Sequence, residues 1–158
     1  GIKYKGFIFL GLMNVEGEPM VIEYNVRMGA TETEVVMPRL KSDLIDLLEG
    51  VADETLGIKQ VEEDERAAVT VMLTSAGYPG SYEKGKVMTL PADQGVLRFH
   101  AGTQTGEGGE VLTSGGRVMA LTAYGSTIAE AASKALAEAG RVDFEGKYFR
   151  SDISKDLV

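Results

Sequence analysis

The stretch DETLGIKQVEEDER, residues 53–66, divides this chain into two textures. Before it, two strand-like runs give way to helical spacing. After it, short β-branched runs alternate with glycine-rich turns and a single helix. The stretch itself is polar and acidic with few apolar residues, which suits a linker; a long surface loop is the alternative. At 158 residues the chain reads as one domain of ordinary size or as a domain plus a fragment of another.

In the first half, KGFIFLGLM (5–13) is apolar on both faces, as a covered strand is. NVEGEP then supplies turn chemistry through Asn14, Gly17 and Pro19. The run from Met20 to Met28 alternates: Met20, Ile22, Tyr24, Val26 and Met28 against Glu23, Asn25 and Arg27. A β-hairpin is expected, with Glu23, Asn25 and Arg27 sharing its polar face. From Glu32 the spacing turns helical through Val35, Val36 and Leu40, with Pro38 keeping that piece short or kinked. Ser42 is placed to cap a second helix with Leu44, Leu47, Leu48 and Val51 on one face. After the acidic stretch, residues 67–75, 96–100, 110–114 and 117–123 read as strands. Residues 127–139 read as a helix opened by a Thr127/Glu130 capping box and ended at Gly140.

The net charge of −8 argues against a nucleic-acid surface, since phosphate backbones need a basic stripe and none is visible. The absence of cysteine excludes disulfides and thiolate metal sites, and the single histidine, His100, excludes a histidine-rich zinc site within this chain. No apolar run reaches the roughly 18 residues that span a bilayer. The first residues, Gly1-Ile2-Lys3-Tyr4, have neither a signal-peptide pattern nor an initiator methionine, and the expectation is a chain that begins elsewhere.

The chemistry concentrates on the second strand. Glu23 and Asn25 are oxygen donors two residues apart, and hard cations such as magnesium take carboxylate and carboxamide oxygens, sharing the rest of their coordination with nucleotide phosphates. Arg27, one step further, offers a planar fork suited to phosphate or an acyl phosphate. Acid, amide and arginine in that order fit a metal–phosphate platform. A solvent-facing strand with mixed polar residues fits the same spacing.

VIEYNVRMGATETEVVMPRLKSDL (21–44) resembles a segment of the phosphoribosylamine–glycine ligase (glycinamide ribonucleotide synthetase) family of the ATP-grasp superfamily, which carries E-F-N-x-R-F-G-D-P-E-T-Q followed by a leucine-rich K-S-D-L. The resemblance continues in order through DERAAVTVMLTSAGYPGSYEKGKV, FHAGT, TSGGRVMALTAYG and FEGKYFRSDI. It implies an α+β chain. Residues 1–60 would finish an ATP-grasp lobe, and 61–158 would form a small β-rich, barrel-sandwich-like module with one helix. It places Glu23 and Asn25 on the family's metal-binding acid and amide, and Arg27 on its neighbouring catalytic and nucleotide-binding arginine. The implied reaction joins glycine to 5-phosphoribosylamine with ATP and Mg2+ or Mn2+. The implied compartment is the cytoplasm, and the implied partners are the missing N-terminal and ATP-grasp lobes of the same enzyme. Without those lobes the fragment is expected to be inactive. One departure matters: Ala30-Thr31 stand where the family has Asp-Pro, so a carboxylate beside the metal site is lost.

Other residues carry plainer readings. Lys41 and Asp43 suit a helix start, His100 a structural hydrogen bond, and Arg117 a turn after two glycines, with anion contact as the lesser reading. The scattered methionines suit core packing. The rival class is a non-enzymatic barrel-sandwich carrier, for which Lys84 and Lys86 around Gly85 would be the attachment candidates.

Overall fold

The computed structural model describes residues 1–157, which divide into two compact units, one of residues 1–64 and one from Glu65 onward. Its helices and antiparallel sheets make it a mixed α and β chain.

In the first unit, strands β1 (Phe9–Val15) and β2 (Glu18–Asn25) form a hairpin. Its two-residue loop, Glu16-Gly17, has positive φ at both positions, the geometry whose twist matches paired strands. Asn14 Oδ1 accepts from Gly17 N at 2.8 Å and fixes the corner. The register slips between Gly11 and Leu12, so Glu23 opposes Gly11, Val21 opposes Leu12, and Ile22 is the extra residue of a β-bulge. The simple alternation expected from the sequence therefore breaks. Glu23 and Asn25 share their face with Phe9 and, beyond the bulge, with Met20 and Met13. Both faces stay apolar and open: Leu12, Met20, Ile22 and Tyr24 are all exposed.

Helices α1 (Thr33–Arg39) and α2 (Leu44–Ala52) follow. α1 holds Pro38 in its last turn and stops at once. The cap of α2 is Asp43, whose carboxylate accepts from Ile45 N and Asp46 N; it is not Ser42. The Ser42 hydroxyl instead accepts from Glu62 N at 2.7 Å. The acidic stretch is tied down: Lys41 N donates to Glu62 O, Asp64 N to Arg39 O, and Lys59 pairs with Asp46. These bonds make it a strap on the first unit up to Asp64.

In the second unit, β3 (Ala67–Ser75), β4 (Leu97–His100), β7 (Arg117–Gly125) and β8 (Lys147–Tyr148) form an antiparallel sheet in the order β4-β7-β3-β8. A second small sheet pairs β5 (Thr103–Thr105) with β6 (Val111–Thr113). β5 and β8 are too short to show a periodicity in the sequence. Helix α3 (Ile128–Arg141) covers one face, and the core forms from Val71, Leu73, Met119 and Leu121 against Ala135, Ala139 and Val142. α3 runs through Gly140 to Arg141, one turn residue beyond the expected stop. Its last carbonyls are satisfied from outside: Lys147 Nζ donates to Ala139 O at 3.0 Å and Val142 O at 2.5 Å. Glu138, 2% exposed, ties α3 to β4, with Arg98 Nε at 2.9 Å on one oxygen and Arg141 Nη1 at 2.7 Å on the other. At the other end Thr127 Oγ1 accepts from Glu130 N, and the Glu130 carboxylate reaches back to the hydroxyl and amide of Ser126.

Two outcomes follow. Every buried apolar residue described lies at or beyond Val69, so hydrogen exchange should be fast across the hairpin and slowest in β3 and β7. Comparable protection in both units would contradict that assignment of the core. Lys134, then the Ser126 hydroxyl and amide, lower the Glu130 carboxyl from 4.5 to about 2. Its contribution is therefore complete above pH 4.5 and is lost as pH falls through about 2. In thermal melts, Glu130→Gln should lie below the parent near neutrality, and the two should converge across that window.

Candidate functional site

Glu23 sits on β2 opposite Gly11, where a Cβ on the glycine would lie 2.9 Å from Glu23 Cγ. The bare backbone at Gly11 leaves room for the glutamate stem to lie across the partner strand. Asn25 follows on the same face, opposite Phe9. Among the described residues, no hydrogen bond or ion pair engages the Glu23 carboxylate or the Asn25 carboxamide, so their oxygens remain available. Arg27 lies beyond the strand. β2 ends at Asn25, and Arg27 stands in the bend that follows, with Nη1 donating to Met28 O at 2.8 Å. The expected row of three on one strand face is thus a pair on the strand and an arginine in the connection.

That connection is packed closely. Gly29 is buried, and a Cβ there would meet Glu32 Oε2 at 2.2 Å and Phe9 at 3.1 Å. Thr33 Oγ1 donates to Gly29 O at 2.7 Å, anchoring the entry to α1. Ala30 and Thr31 occupy the turn, so the position where a carboxylate was expected carries a methyl group. Glu32 reaches back over Gly29, with Oε2 accepting from Thr31 N. The sequence places Glu32 only at the start of the helical spacing, and the signal for a role at the turn is the glutamate within the resemblance.

No group of three or more acidic or histidine side chains that could hold a metal occurs among the described residues. A hard divalent cation needs about six oxygens, so Glu23 and Asn25 fit it as a partial set, completed by phosphate and water oxygens. An all-protein cage does not fit.

The remaining candidates lie in the second unit. His100 Nδ1 lies 2.8 Å from Thr103 Oγ1 and bridges the step from β4 to β5. Gly102 and Gly115 bring two turns into backbone contact, where a Cβ on Gly102 would be 2.6 Å from Gly115 Cα. Arg117 follows, exposed, at the start of β7. Lys86 lies between Glu83 at 2.6 Å and Glu145 at 2.9 Å beside a cavity of about 450 Å³, and those two carboxylates raise its pKa. Its backbone pairs with Thr113, and Lys84 lies over the Tyr82 ring. Neither lysine stands free at a hairpin tip, which removes the structural basis of the carrier reading. Among the described residues no helix is long and apolar enough to cross a membrane.

Comparison with solved structures places the fold first. The biotin carboxylase subunit of pyruvate carboxylase superposes with a TM-score of 0.57 at 19% identity over 85% of this chain and 30% of that one, a likeness of fold alone. A phosphoribosylamine–glycine ligase from Thermotoga maritima superposes with a TM-score of 0.80 at 39% identity, over 92% of this chain and 36% of that one. The family model described as "Phosphoribosylglycinamide synthetase, C domain" matches residues 68–156, and the chain belongs to that family. Phosphoribosylamine–glycine ligases of Chlorobaculum tepidum and Salmonella typhimurium are 45% and 44% identical over 97% of this chain. The chain spans 37% of the length of these relatives.

With Lys86 ion-paired on both sides, no acyl or cofactor attachment is expected there. The intact mass of the chain purified from cells should equal the sequence mass of 16.9 kDa, and an added cofactor mass on Lys84 or Lys86 would revive the carrier.

Proposed function

We propose that this chain is part of an ADP-forming ligase of purine biosynthesis that joins glycine to 5-phosphoribosylamine through glycyl phosphate. The observation that carries the reading is the Glu23–Asn25 pair: two unengaged oxygen donors on one strand face, in a chain of this family. In this reading residues 1–60 complete an ATP-grasp lobe, and 61–158 form a C-terminal domain of barrel-sandwich type. The small β5–β6 sheet beside the larger one supports the second assignment. The partner is the rest of the same enzyme, and the exposed apolar faces of the hairpin are the surface it would cover. The compartment is the cytoplasm. The fragment alone is inactive because ATP must be enclosed from both sides.

ATP arrives with Mg2+ or Mn2+, which when bound neutralises charge on the phosphates. Glu23 supplies the anionic oxygen that draws such a group to the strand, and Asn25 a neutral oxygen that orients it. Arg27 spends one N–H on Met28 O and has others to direct at an anionic phosphoryl oxygen. No covalent nucleophile is required of the protein. The glycine carboxylate accepts the phosphoryl group, and the work left is positioning and charge neutralisation. The amine of the aminosugar then attacks the acyl carbon. A C–N bond forms, the C–O bond to phosphate breaks, and inorganic phosphate leaves.

Glu23→Ala in the full-length enzyme should cost on the order of several kcal/mol of transition-state stabilisation, because Asn25 cannot replace the lost charge. The circular dichroism spectrum should not change. An exposed strand carboxylate with no role would cost within about 0.5 kcal/mol of stability and nothing in rate. A near-normal turnover of glycine and ATP in saturating magnesium would overturn the assignment.

A further inference from the structure

Alone among the arginines, Arg117 makes no side-chain hydrogen bond, ion pair or ring contact among the described residues. It opposes Thr74 across β7 and β3, and Thr74 opposes Tyr148 across β3 and β8. Opposed residues on antiparallel strands share a face, so a guanidinium, a hydroxyl and a phenol stand in one row over three adjacent strands. Thr74 and Tyr148 of that row line a cavity of about 190 Å³ with Met72, Tyr78, Phe149, Arg150 and Ile153, and Arg117 stands at the end of the row outside that lining. Tyr78 is held in that wall by Gly116, where a Cβ would lie 2.2 Å from its ring. The phenol hydroxyls of Tyr78 and Tyr148 donate to nothing among the described residues. Arg150 is occupied by Asp152 at 2.9 and 2.8 Å.

The charge around this corner is unusual for the chain. Although 24 residues are acidic, none falls within 67–82, 94–106 or 111–129, the segments that carry β3, β4 and β7. Outside them, Asp152 is paired with Arg150 of the cavity lining, whereas Glu83 and Glu145 line the separate cavity beside Ser75 and are held by Lys86. Thr74 and Ser75 point to opposite faces of β3, so Glu83 and Glu145 stand on the other side from Arg117. What remains is a donor-rich corner in which Asp152 is spent on Arg150: one free guanidinium and two phenols, beside the apolar surface of Met72, Phe149 and Ile153. Those donors suit a tetrahedral oxyanion, and the apolar wall suits the carbon skeleton that bears it.

We propose that Arg117, with Tyr78 and Tyr148, binds the phosphate monoester of the phosphorylated amine substrate. The proposal rests on the ligase reading for the identity of that substrate. Two measurements separate its failure from the failure of that reading. In the first, amide NMR of this chain is titrated with ribose 5-phosphate, ribose and inorganic phosphate. Ribose 5-phosphate should shift Thr74, Gly116 and Tyr148, Arg117→Ala should abolish the shift with the spectrum otherwise native, and Arg117→Lys should keep part of it. Equal shifts from ribose would overturn phosphate recognition. Equal affinity for inorganic phosphate would assign the corner to the released phosphate and overturn the substrate assignment. In the second, Arg117→Ala in the full-length enzyme should raise KM for the aminosugar phosphate roughly 10- to 100-fold, the size expected for losing bonds to a charged group, with KM for glycine unchanged. An unchanged KM for the aminosugar phosphate would overturn the proposal and leave the ligase intact. Absence of any ligation by the parent enzyme would remove the ligase reading and, with it, the substrate named here.

Discussion

Strand β7 is buried on both faces, and the second unit is arranged around it. Val118 to Ala123 are closed to solvent, with β3 on one side, β4 on the other and α3 across the core face. A strand so enclosed must be apolar throughout, and its closed stretch VMALTA (118–123) is, apart from Thr122, whose hydroxyl donates to Thr70 at 3.0 Å. The three devices that hold the rest all act on this sandwich. Glu138 clamps α3 to β4, Lys147 closes the C-terminal end of α3, and the capping box closes its N-terminal end. Glu138 has the most at stake. A buried carboxylate is tolerated only while both oxygens are satisfied, and here one arginine from the strand and one from the helix satisfy them.

The first unit has no such interior. Its only buried residues are Gly29 and Gly50, positions with no side chain to bury. A two-stranded hairpin is marginal in water even with one face covered, and this one exposes large apolar side chains on both. The groove bounded by Phe7, Val36, Leu40, Leu44 and Leu47 is likewise apolar and open. The face carrying Glu23 and Asn25 therefore has no buried apolar core of its own unit beneath it. Catalytic side chains need packed support to hold their geometry.

Much of this was legible in the sequence because the elements concerned obey local rules. The Glu16-Gly17 turn, the Thr127 cap and the apolar run of β7 each carry their signal within a few residues. What escaped was decided by non-local geometry. The bulge at Ile22 is a property of the pair of strands, so the alternation written in β2 could not reveal it. Asp43 displaced Ser42 as the cap because the Ser42 hydroxyl is engaged by Glu62, 20 residues away. α3 passed Gly140 because Lys147 satisfies its last carbonyls, so the helix needed no glycine to end it. Glu23 and Asn25 were legible as a pair, whereas Arg27 was assigned to a strand that stops two residues before it.

For a chain of net charge −8 the phosphate binding proposed above poses an electrostatic problem, since its own field repels phosphates. The two candidate sites solve it differently. At Glu23 the negative side chain is retained, and charge matching requires a divalent cation to accompany the phosphates. Around Arg117 acids are absent from three long stretches and Asp152 is paired with Arg150, so a single unpaired guanidinium sets the local sign. The first arrangement suits a nucleotide that brings its own metal. The second suits an ester that comes without one. The glycines at 102, 115 and 116 belong to the second arrangement, because they let the Tyr78 ring lie against Gly116 and the Arg117 backbone lie against Gly102 without adding a charged side chain.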